Sequence, residues 1–71
     1  MARWEFEKKF FKGEFQVHLE VQYRDCDNDQ YRVRTFTNHW EKSKQFDNEE
    51  QALQHFDSEV EWIRSLFVNR R

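Results

Sequence analysis

The 71-residue chain has no proline, one glycine, one cysteine and no methionine after Met1. Its longest apolar runs fall far short of the ~20 residues that a membrane-crossing helix needs. Each shortage excludes something. One cysteine, Cys26, makes neither an internal disulfide nor a multi-cysteine zinc site. One glycine, Gly13, cannot form a glycine-rich phosphate loop. The near absence of Gly and Pro is unlike a linker or a low-complexity segment. The charged first twenty residues do not read as a signal peptide. Twelve Lys and Arg against fourteen Asp and Glu leave a net charge of -2, without a strongly basic balance. A single domain that works in the cytoplasm is the expectation, since one core uses a chain of this size.

Aromatic residues are plentiful. Eight Phe, three Trp and two Tyr stand against five Val, three Leu and one Ile. Disordered chains are poor in aromatics, and each aromatic buries a large area, so a short chain can still build a core.

Residues 14–24 alternate, with Phe15, Val17, Leu19, Val21 and Tyr23 on one face and charged or polar residues on the other. Period two over this length predicts a strand. After the polar stretch Asp25-Cys26-Asp27-Asn28-Asp29, alternation resumes with Tyr31, Val33, Thr35 and Thr37 against Arg32, Arg34 and Phe36. The two runs predict a hairpin. Upstream, Trp4, Phe6 and Phe10 share a parity that Lys8 breaks, in a first strand that turns at Lys12-Gly13. Downstream, Asn38-His39 reads as a turn and Trp40 to Phe46 as a short edge strand, where Lys42 and Lys44 discourage pairing with other sheets.

The joint to the last element is Phe46-Asp47-Asn48-Glu49-Glu50. Asp47 reads as an N-cap and Glu50 as its capping-box partner. Leu53, Phe56, Val60, Ile63 and Phe67 follow at spacings of three and four, one stripe of a helix over about 48–68. The expected fold is α+β, an antiparallel sheet of three or four strands with a C-terminal helix on one face. The expected core sets Leu53, Phe56, Val60 and Ile63 against Phe15, Val17, Leu19 and Val21.

Catalytic constellations are not legible. Ser43, Ser58 and Ser65 lack a glycine-flanked nucleophile turn. Asp25 and Asp27 flank Cys26 and oppose its thiolate. Asp25, Asp27 and Asp29 alternate as in a calcium loop, but an EF-type loop needs Gly where Gln30 stands and Glu where Phe36 stands. His55 and Glu59, four apart, are too few to hold zinc. No cofactor, metal, membrane or small-molecule substrate is expected, and no enzyme activity.

Two surface functions remain. The first is a protein interaction module, acting as adaptor, regulator or inhibitor by occlusion, with a protein partner or its own copy in a homodimer. Trp62 lies about 120° and Leu66 about 80° from the centre of the helix stripe. Phe11 and Phe36 have outer-face parity, and Trp40 follows a turn at the sheet edge. Aromatics without a place in the core, rimmed by charge, resemble interface anchors. The second is single-stranded nucleic-acid binding on an open sheet face through Arg32, Arg34 and Phe36, joined by His18 and Arg24. Residues 30–46 carry four bases against one acid, whereas residues 47–61 carry six acids and no base. Glu14 and Glu20 are expected on that same outer face, which weakens its electrostatic footprint.

Overall fold

A computed structural model describes residues 3–23 and 29–68. Four strands precede one helix: β1 (Trp4–Lys12), β2 (Phe15–Gln22), β3 (Gln30–Phe36), β4 (Glu41–Phe46) and α1 (Glu49–Val68). The strands form an antiparallel meander in the order β1-β2-β3-β4, and α1 packs on one face, mainly over β2 and β3. The fold is α+β, and the sheet has four strands.

Sequence chemistry sets the joints. Lys12 pairs with Phe15, so the β1–β2 turn is Gly13-Glu14, one residue later than expected. Gly13 has φ of 59° while Glu14 stays negative. A positive φ at only the first central residue is the II′ hairpin pattern, which favours glycine there. A side chain at Gly13 would also collide with the Phe67 ring, 2.9 Å from its Cβ position. Between β3 and β4, the Thr37 amide donates to the Trp40 carbonyl at 2.9 Å, and the Thr37 hydroxyl oxygen accepts from the His39 amide at 3.0 Å. Within the β2–β3 connection, Arg24 and the Asp25–Asn28 stretch lie outside the described residues.

The core joins Val17, Leu19 and Val33 of the sheet to Ala52, Phe56, Val60 and Ile63 of α1. Phe15 and Leu53 are only partly buried against it. Phe67, expected in the stripe, is 37% exposed and closes over Gly13 instead.

Two further expectations need correction. The register between β1 and β2 slips between Phe6 and Lys8. This extra residue reverses the alternation, as β-bulges do. Trp4 and Phe6 therefore stand opposite Gln22 and Glu20 on the outer face, and Phe10 stands opposite Val17 on the helix face. The N-cap is Asn48, not Asp47. Its Oδ1 accepts the Gln51 amide at 3.1 Å, and its carbonyl accepts the first helical bond from Ala52 at 3.1 Å. Gln51, not Glu50, thus occupies the third helical position. Asn48→Ala is expected to lose about 0.5–2 kcal/mol, and Asp47→Ala much less. Urea melts of the two variants check the assignment. A larger loss in Asp47→Ala would move the cap back by one residue.

Candidate interaction surfaces

The outer sheet face has no covering element among the described residues. Its centre is closed by its own side chains. His18 on β2 is 8% exposed and Glu20 3%. Edge-to-face aromatic contacts surround His18: Phe6 and Phe36 each at 4.9 Å and Phe11 at 6.3 Å between ring centroids. Phe6 and Phe11 are themselves more than half exposed. The bulge in β1 is what brings Phe6 to this ring.

His18 Nε2 donates to Gln16 Oε1 at 3.3 Å, while the buried Nδ1 has no partner among the described residues. A second proton would sit on that bare nitrogen, away from water. Burial accordingly holds the imidazole below its ordinary value of 6.5; Glu20 opposes the shift, and Arg34 and Lys9 add to it. A lowered folded value means that the unfolded chain binds the proton more readily. The contribution of His18 to stability is therefore whole above pH 6.5 and declines as pH falls from there toward the lowered folded value. The melting temperature of His18→Leu should fall less over that interval than that of the wild type. An equal fall in both would remove His18 as the cause.

Glu20 accepts from Arg32 Nε at 2.7 Å and from Arg34 Nη1 at 3.3 Å. Arg34 Nε also donates to Glu41 at 3.0 Å. Arg32 lies 4.2 Å over the Trp4 ring and Arg34 5.2 Å over Phe36. Both guanidinium groups proposed for nucleic acid are thus already held by carboxylates. Of the expected outer-face acids, only Glu20 is in the sheet, because Glu14 belongs to the turn.

The second surface lies at the turn end, on the flank of α1 that faces β4. Trp62 packs edge-on to Phe15 at 5.8 Å and meets Trp40 at 6.4 Å. Phe15 also touches Trp40 at 6.3 Å and Phe67 at 6.1 Å. Lys42 caps the Trp62 ring at 5.2 Å and pairs with Glu59 at 3.3 Å. Leu66 stands one turn beyond Trp62 on the same flank. Trp62 and Trp40 are each 41% exposed. Trp62 therefore does not lie under the N-terminal strand.

No family model, curated protein or solved structure matches the chain. The geometry of the side chains is what bears on function.

The five residues read as partner-binding divide between two surfaces. Trp62 meets Trp40 at the turn end, with Leu66 one turn on along the same flank of α1; Phe36 and Phe11 both stand against His18 on the outer face. His18, Arg32 and Arg34 do come together, beside Phe36; Arg24 lies outside the described residues. Sequence reasoning missed Phe6 on the outer face, for which Lys8 breaking the parity was the available signal. It also missed Phe15 and Phe67 as the floor of the turn-end patch, for which no local signal existed. No group of three potential metal ligands occurs among the described residues, and no helix there is long and apolar enough to cross a membrane.

Proposed function

We propose that this protein is a small non-catalytic interaction module that receives a protein partner on the turn-end patch around Trp40 and Trp62. The supporting observation is concentration. Of eight exposed large hydrophobic residues among those described, three (Trp40, Trp62 and Leu66) share this flank, and a fourth, Phe67, borders it through Phe15. Half-exposed tryptophans braced edge-on by Phe15, with a lysine above one of them, match the composition of binding hot spots. Apolar clusters of this kind on small domains usually serve an interface. An adaptor, a regulator or an occluding inhibitor would each use such a patch.

The test separates anchoring from folding. Trp62→Ala should weaken association by about 2 kcal/mol or more. Its melt should shift less than that of a core truncation, because Trp62 keeps 41% of its surface exposed. A photo-crosslinking residue at Leu66, introduced in the native cell, should give an adduct of defined mass that Trp62→Ala abolishes. A collapsed melt with unchanged adducts would make Trp62 structural and end this reading.

Single-stranded nucleic-acid binding draws its support from Phe6, Phe11 and Phe36 on the uncovered sheet face. It requires Arg32 and Arg34 to exchange Glu20 and Glu41 for phosphates. A salt-dependent gel shift with single-stranded RNA and DNA tests it.

A further inference from the structure

The other flank of α1, facing β1, changes charge along its length. At one end Glu7 and Glu49 face each other. The Glu7 carboxyl is held above its ordinary range by its hydrogen bond to Glu49, by burial and by the Glu49 charge. Midway, Lys8 reaches Asp57 at 4.0 Å. At the far end Arg64 lies 5.5 Å over Phe10 and Lys12 lies 5.4 Å over Phe67. With Phe11 and Val68 these four residues line an open groove of about 520 Å³. Among the described residues, no carboxylate pairs with Lys12 or Arg64, and no cation pairs with Glu7 or Glu49.

We propose that this groove is filled by the same flank of a second copy, in a two-fold symmetric dimer that sets the acidic end of each copy against the basic, aromatic end of the other. A two-fold interface must be self-complementary, with residue i meeting j and j meeting i. This flank satisfies that condition. Glu49 and Arg64 are separated by about 22 Å along the helix at 1.5 Å per residue. Their midpoint falls at Phe56 and Asp57, so an axis there carries Arg64 of one copy onto Glu49 of the other, twice. The same axis sets each Lys8–Asp57 pair beside its mate, opposite charges adjacent. A parallel arrangement would instead oppose Glu49 to Glu49 and Arg64 to Arg64. An unrelated acidic peptide would fit only the basic half and leave Glu7 facing Glu49. The strip is short against the ~800 Å² per partner of a stable interface, so the dimer is reversible and sensitive to salt. It uses the flank opposite Trp62 and shares with the turn-end patch only the Phe67 ring.

Sedimentation velocity across a concentration series tests the dimer. The wild type should dimerise at 0.01 M salt and weaken by roughly tenfold or more toward 1 M, as the Debye length falls from about 30 to about 3 Å. Arg64→Glu alone and Glu49→Lys alone should each be monomeric. Their equimolar mixture should form a dimer, because each variant offers the other the charge it lacks. Both positions are exposed, and thermal melts verify that both variants are folded. A wild type that stays monomeric at low salt overturns the proposal. So does a mixture that stays monomeric while the wild type dimerises, or growth into species larger than a dimer. Trp62→Ala should leave this equilibrium unchanged, and its abolition by that variant would overturn the choice of flank.

Discussion

Phe56→Ala is expected to unfold the protein at room temperature. Phe56 is 3% exposed and sits midway along α1, in the cluster with Val17, Leu19 and Val33. Truncating a buried Phe to Ala loses about 3–5 kcal/mol, the transfer term together with the cavity left behind. A small domain without disulfides or metal rarely has more than ~3–5 kcal/mol in total. The cavity would also be hard to close. Lys8 covers the ring at 5.1 Å, and an ammonium group gains nothing by following the backbone into an apolar hole. Circular dichroism in a urea series measures the loss. A midpoint close to that of the wild type would mean that the stripe from Ala52 to Ile63 is not the main core contact. Phe56→Leu keeps most of the volume and should stay folded, which ties the collapse to the cavity.

That core was legible because it depends on periodicity alone. Val17, Leu19 and Val21 alternate without interruption, and Phe56, Val60 and Ile63 recur at helical spacing. The features that escaped are those decided by a partner distant in sequence. The bulge near Glu7 is defined by which β2 residue each β1 residue faces, and only Lys8 hinted at it. Asp47 and Asn48 are both competent caps, and the choice between them rests on which oxygen reaches the Gln51 amide. Phe67 keeps helical spacing, yet the stripe has already run past the end of the sheet at that point. The ring finds Gly13 because only a residue without Cβ leaves room for it. The same division holds at the surfaces. Trp62 stood out on the helical wheel. That it meets Phe15 and Trp40 depends on two turns arriving at the same end of the sheet.

Glu20→Met should produce the second large loss. The carboxylate is 3% exposed, between two guanidinium groups whose side chains are 23% and 27% exposed. Removing one partner of a buried ion pair typically loses about 3–5 kcal/mol, because the remaining charge is left without compensation. Arg32 and Arg34 retain some contact with water, and Arg34 keeps Glu41. The expected loss is therefore at the lower end, about 3 kcal/mol. The reason lies with the stranded cations rather than with the attraction itself, and this has a consequence. A triple variant, Glu20→Met with Arg32→Met and Arg34→Met, removes all three charges together and should recover much of the stability, since apolar replacements of whole buried ion clusters are often neutral or better. Thermal melts of the single and triple variants decide it. If the single variant melts with the wild type, Glu20 is not what holds the two arginines in place on the sheet. If the triple variant is worse than the single one, the guanidinium groups over the rings of Trp4 and Phe36 contribute more than the carboxylate between them, through packing that methionine cannot replace.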